Sequence, residues 1–231
     1  MGMDKIRVGT SGYSYFWNEG TPTPFQWYCK QGFPTVEINA SFYRFPSKSW
    51  IRSWEKCPSG FDFSIKVHRA ITHYRKLGWN ALKTWMKFKS LFKEMEDKIA
   101  FWLFQMPPNF TATTESIGVV SKFFSELNLG NSAVVEFRHT SWWNKKDVCK
   151  DSGLAFCSVD APSLPTEVVS INDVVYLRLH GREMWYAYVY SERELEEMLD
   201  EVKRLDASRK YIYLNNDHGM LPNGKFLMLH V

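Results

Sequence analysis

The segment Val174-Val175-Tyr176-Leu177-Arg178-Leu179-His180 is an apolar, β-branched run that turns polar at alternate positions near its end. A run of this length and make-up reads as a buried strand. Strand side chains alternate faces, so Arg178 and His180 share one face and Leu177 and Leu179 the other. Working outward, the same design recurs at Ile6–Thr10, Thr35–Asn39, Phe61–Val67, Ile99–Gln105, Ala133–Arg138, Leu154–Asp160 and Tyr211–Asn215. With the first segment these make eight expected strands.

Longer segments of helical period separate them. Ser191-x-x-Glu194 is a capping-box signature, followed by Leu195, Met198, Leu199, Val202 and Leu205 on one face. Ala81, Trp85, Phe88, Phe92 and Met95 form a second helical stripe after Asn80, and Pro46-Ser47 opens a shorter one through Trp50 and Trp54. Helices are also expected over Thr114–Leu127 and Ser141–Lys150. The link from Asp160 to Val174 is short and holds Pro162 and Pro165, which argues against a full helix there. Strands alternating with helices imply parallel βαβ units. Eight units can close as a barrel, and 231 residues suit a small one. The competing open sheet favours a Gly-rich phosphate turn after its first strand; Gly9-Thr10-Ser11-Gly12-Tyr13 is not one. The expectation is one α/β domain over residues 1–231, a small TIM-type (β/α)8 barrel with short loops. Its last unit is expected to be incomplete, since the chain past Asn216 leaves room for little more than two helical turns.

Composition narrows the function classes. No apolar stretch approaches the ~20 residues that cross a bilayer, so no membrane role is expected. The start, MGMDKIRVGT, lacks the apolar core of a secretory signal, and Ile6 stands where a myristoylation signal wants Ser or Thr. Cys29, Cys57, Cys149 and Cys157 match no zinc spacing, and four free thiols fit a cytoplasmic location. The net charge of +4 is compatible with an anionic ligand without demanding nucleic acid. Lys66 to Lys93 carries basic residues and no acidic one. His68, Arg69, His73, Arg75 and Lys76 read as a rim that attracts anions, whereas Lys83, Lys87, Lys89 and Lys93 read as a solvated helix face.

The strand ends carry the functional signal. Glu37/Asn39, Glu136/Arg138 and Arg178/His180 are same-face pairs, and their apolar neighbours must pack outward on the helices. The polar face then points inward at the C-terminal mouth, where barrel enzymes keep their sites. Glu37, Glu136, Asp160 and His180 are the acid/base candidates. Arg138, Arg178 and Lys66 suit an anion clamp. Ser11, Tyr13, Asn39, Gln105, Asn215 and Asn216 complete the candidate substrate site. A divalent metal could sit among the carboxylates and His180, but no local ligand motif indicates one. Inward charges can also pair purely structurally. As a general acid or base, Glu136 should tolerate replacement by Gln with the fold intact and turnover abolished; as a structural ion, it should not.

These strand-end motifs resemble the YecE-like family (domain of unknown function 72). The resemblance rests on Val8-Gly9-Thr10-Ser11-Gly12-Tyr13, Val36-Glu37-Ile38-Asn39 with Ser41-Phe42-Tyr43-Arg44, and Ile71-Thr72-His73. It continues through Phe104-Gln105-Met106-Pro107-Pro108, Glu136-Phe137-Arg138-His139 with Ser141-Trp142, Tyr176-x-Arg178-Leu179-His180-Gly181 and Asn215-Asn216. It implies a β/α barrel and supplies no reaction. The expected function is hydrolase- or lyase-type acid/base chemistry on an anionic or phosphorylated small molecule, or a nucleic-acid end. The alternative is a non-catalytic barrel holding an anionic metabolite, nucleic acid or an acidic protein. Sequence leaves the oligomeric state open.

Overall fold

The computed structural model describes residues 6–231; the reading of the N-terminal leader falls mostly on residues 1–5, outside them. Eight parallel strands run in chain order around a (β/α)8 TIM-type barrel: β1 (Arg7–Thr10), β2 (Thr35–Ile38), β3 (Asp62–Lys66), β4 (Ile99–Gln105), β5 (Ala133–Glu136), β6 (Ala155–Asp160), β7 (Val174–Leu179) and β8 (Arg209–Leu214). All eight fall on the expected segments. Their outward residues, such as Trp102 and Phe104, pack on helices α4 (Ala81–Ser90) and α5 (Thr114–Leu127), where Trp85 and Phe124 meet them at 5.0 and 4.9 Å between ring centroids.

Closure at the seam has a specific device. β1 and β8 pair along their length, but β1 and β2 share one bridge, Ser11 to Glu37. Below that bridge the Tyr28 hydroxyl, carried by helix α1 (Pro24–Lys30), accepts from the Thr10 N–H at 3.0 Å and donates to the Thr35 carbonyl at 2.9 Å. A side chain thus satisfies two buried backbone groups that the ladder leaves free. Gly9 permits the approach: a Cβ there would stand 2.5 Å from the Thr35 carbonyl oxygen.

The helices depart from expectation in places. Helix α1 escaped the helical-period reading, although Thr23-Pro24 is a start signal in which Thr23 caps and Pro24 takes the first turn. The stripe from Ala81 to Met95 breaks after Ser90, and Lys93–Lys98 continues it as a 3₁₀ turn that still buries Met95. The segment after β5 is a 3₁₀ turn (Thr140–Lys145) followed by the short α6 (Asp147–Asp151), not one helix. Helices α2 (Ala40–Tyr43) and α3 (Lys48–Trp54) follow β2. No helix lies between β6 and β7, as the two prolines foretold. Helix α7 (Glu192–Arg204) begins with the complete capping box. The expectation of an incomplete last unit is corrected: helix α8 (Met220–His230) runs 11 residues and packs on β1. A 3₁₀ turn at Asp217–Gly219 feeds it directly, so little chain is spent on the connection.

Candidate active site at the barrel mouth

The barrel interior is layered, as in other eight-stranded barrels. At the base, Arg7 pairs with Asp62 at 3.0 Å, and Tyr211 donates to the same carboxylate at 2.7 Å. Above them, Tyr176 and Ser64 share a 2.6 Å hydrogen bond, and Thr35 and Tyr213 one of 2.8 Å. The top layer is ionic, because β2, β3, β5 and β7 each carry an inward charged residue at the last or next-to-last position.

Arg178 of β7 is the hub. Its Nη2 donates to Glu37 Oε1 at 2.6 Å and its Nη1 to Glu136 Oε2. Glu136 also takes the Arg138 Nε–H, and Glu37 the Tyr176 hydroxyl at 2.7 Å. The result is an alternating chain, Glu37–Arg178–Glu136–Arg138, in which the first three side chains are inaccessible to water. Burying such ions costs several kcal/mol each unless every charge is met; here each faces an opposite charge, although the Arg178 Nε–H is buried without a partner among the described residues. Burial alone would raise the Glu136 carboxyl, but Arg138 and then Arg178 hold it well below the usual carboxylate range. Glu136 is therefore ionised and committed to two arginines.

His180 follows on the same face. Its Nε2 lies 3.3 Å from Arg138 Nη2 and 3.4 Å from Arg178 Nη1, and its Nδ1 meets the Asn215 amide at 3.0 Å. Burial, then the two guanidinium groups, keep its pKa well below the ordinary value, so the ring is neutral.

Lys66 differs from its neighbours. It ends β3 facing this cluster, its residue is 7% exposed, and among the described residues its Nζ has no hydrogen bond or ion pair. The Nζ rests 4.6 Å from the centre of the Phe42 ring. Burial first, then the positive field of Arg178, push the amine down to about 7, against the pull of Glu136 and Glu37. His73, beside Phe42 with ring centroids 4.9 Å apart, is pushed down to about 4 by burial and then by Lys66 and Arg138. Arg138 is the other group with spare capacity: past its Nε bond, Nη1 and Nη2 have only the 3.4 and 3.3 Å contacts to Tyr186 and His180. Trp185 from the β7–α7 loop lies 4.4 Å from its guanidinium carbon and roofs that side of the mouth.

The structure thus brings Ser11, Glu37, Lys66, Glu136, Arg138, Arg178, His180 and Asn215 together, with Gln105 as the register neighbour of Glu136. Four candidates lie apart from the charged layer. Asp160 points to the opposite face from Cys157, whose sulfur lies 3.9 Å from Glu136; it binds Arg182 at 3.0 Å beneath the β7–α7 loop. Tyr13, past the Gly12 turn at φ 94°, packs on Phe25 and accepts from the Trp54 indole at 2.7 Å. Asn39 donates to the Ser11 carbonyl at 3.0 Å, bracing the β1–β2 bridge. Asn216 ties the Tyr188 carbonyl at 2.8 Å to Asn223 of α8 at 2.9 Å. The sequence reading missed Phe42 and Trp185, whose approach to Lys66 and Arg138 depends on loop paths that no local pattern carries. Among the described residues, no group of three or more His, Cys, Asp or Glu side chains could hold a metal ion. At the mouth the arginines already occupy the carboxylates.

Fold and site together define a parallel β/α barrel with a buried ion chain and one unpaired amine at its C-terminal mouth. The chain belongs to the DUF72 family, described as a protein of unknown function, whose model matches residues 7–223; the YecE-like resemblance is to this same family. It is 25% identical to the UPF0759 protein YunF of Bacillus subtilis over 85% of this chain and 82% of that protein. A crystal structure of a DUF72 family protein from Thermotoga maritima superposes with a TM-score of 0.82 at 26% identity, covering 98% of this chain and 99% of that one. A family member from Enterococcus faecalis, 20% identical, shares the fold with a TM-score of 0.81 over 98% of this chain and 94% of its own. No helix of the described residues is long and apolar enough to cross a membrane.

Proposed function

We propose that the barrel mouth is an active site for acid/base chemistry, of hydrolase or lyase type, on a small anionic substrate. The observation that carries this reading is Lys66, a 7% exposed residue whose amine has no partner among the described residues, beside an ion chain that is otherwise balanced. A pKa near operating pH lets one group both take and give a proton. In this reading Lys66 is the proton carrier and Arg138 the anion clamp, using the two nitrogens that the chain leaves loosely held. Glu37, Arg178 and Glu136 position Arg138 rather than react, which moves the acid/base role away from the carboxylates.

The test is thermal unfolding of the wild type and Arg138→Met with inorganic phosphate, a phosphosugar and a 2-oxo acid. A ligand at 100 times its Kd adds about 2.7 kcal/mol, or roughly 5–11 °C for a chain of this size. The expected result is a rise with one anion that shrinks in Arg138→Met. A flat response across all three overturns the reading. Saturation of both carboxylates by arginine favours a second reading, a barrel that binds the anion without turning it over. Under it, Lys66→Met leaves the fate of the bound anion unchanged.

A further inference from the structure

The unpaired amine bears on the class of substrate. Among the described residues, Lys66 is the only lysine that ends a strand facing the interior, and an inward lysine with a structural task would be paired. The carboxylates whose charge acts on it, Glu37 and Glu136, give their oxygens to arginines and to Tyr176 instead. Its amine sits on the Phe42 face, with 7% of the residue exposed. An amine that is desolvated and set beside other cations is a nucleophile towards carbonyl carbon.

We propose that Lys66 forms an imine with the carbonyl carbon of a small aldehyde or ketone whose carboxylate or phosphate is held by Arg138. The proposal rests on the reading of the mouth as an anion site and names its substrate class. The Nζ lone pair adds to the carbonyl carbon, forming the C–N bond, while the C=O π pair moves to oxygen. That oxygen takes the proton released by nitrogen. The C–O bond of the carbinolamine then breaks as the oxygen leaves with a second proton as water, and the nitrogen pair closes the C=N bond. One amine, one carbonyl and one proton thus become one iminium ion and one water, with no oxidation or reduction.

The iminium is a fixed cation, and Phe42 offers it a ring face while Glu37 and Glu136 lie within electrostatic reach. An iminium withdraws electrons from the neighbouring carbon, which makes lyase chemistry at that carbon accessible. His73 is uncharged at neutral pH, held down by burial and by Lys66 and Arg138, with its Nδ1 on the Thr72 hydroxyl at 2.9 Å.

The experiment is reductive trapping. The protein is incubated with sodium cyanoborohydride and either pyruvate or dihydroxyacetone phosphate, then digested and mapped by mass spectrometry; each probe's thermal shift is recorded without reductant. The expected result is one adduct on the peptide carrying Lys66, formed at least tenfold faster than on any surface lysine and absent from Lys66→Met. The productive probe shows whether the mouth prefers a carboxylate or a phosphate. A probe that raises the melting temperature yet leaves no preferred adduct on Lys66 overturns the imine and leaves the anion site standing. No shift and no adduct with either probe overturns both. The melting temperature of Lys66→Met shows that lost trapping is not lost folding.

Discussion

Replacing Glu136 with Gln keeps the shape of the side chain and removes the charge between two arginines. In the wild type its carboxylate takes Arg178 Nη1 and Arg138 Nε, is fully buried, and has the Cys157 sulfur behind it. The amide retains one acceptor oxygen and turns an N–H₂ towards a guanidinium. Arg178 then keeps only Glu37 as a carboxylate partner, and Arg138 keeps none. Removing one partner of a buried pair costs about 3–5 kcal/mol. At about 2–4 °C per kcal/mol for a chain of this length, the melting temperature should fall by roughly 6–20 °C. The pH dependence carries the same signature. The folded pKa of Glu136 lies below its ordinary value of 4.5, so its stabilisation is full above that pH and is lost as the pH falls towards the folded value. Wild type and variant should therefore converge as the pH drops below 4.5. Scanning calorimetry from pH 7 to pH 3 measures both effects. A fall under about 3 °C at pH 7, or a gap that widens in acid, would refute a structural role for Glu136 and return it to the acid/base candidates.

Two further outcomes follow from the geometry. Tyr28→Phe deletes the hydroxyl that closes the β1–β2 seam and leaves the Thr10 N–H and Thr35 carbonyl buried without partners; at about 1–3 kcal/mol per orphaned group, chemical denaturation should show a loss of roughly 2–6 kcal/mol, and a loss under about 1 kcal/mol would contradict the seam. Lys66→Met should raise the melting temperature at pH 6 and lose that advantage as the pH rises from 7 towards 10.5. The folded pKa of about 7 lies below the ordinary 10.5, so the unfolded chain binds the extra proton and wild-type stability climbs through that window; a pH-independent difference would contradict the depressed amine.

The barrel was legible because strand and helix periods alternate cleanly, and Pro162 and Pro165 mark where a helix is missing. The ionic mouth was legible where a strand carries a polar pair two residues apart. Glu136/Arg138 and Arg178/His180 declare their shared face, and the apolar residues between them declare the outside. Asp160 carries no such pair. Both faces of β6 are compact and buried, so its parity is set by the register with β7, where Val159 lies opposite Arg178. Tyr13 and Asn216 lie beyond their strands, where the alternation ends. The commitment of Glu136 to two arginines and the solitude of Lys66 depend on contacts across three strands. Charge alone in the sequence could not separate a paired ion from a free one.

The depressed, unpaired amine of Lys66 is the centre of the account, and limiting acetylation with acetic anhydride at stepped pH, resolved by peptide mass spectrometry, reads it directly. The account predicts that Lys66 acetylation reaches half its maximum near pH 7, well below the ordinary lysine value of 10.5. A Lys66 profile that rises only with the surface lysines would contradict it.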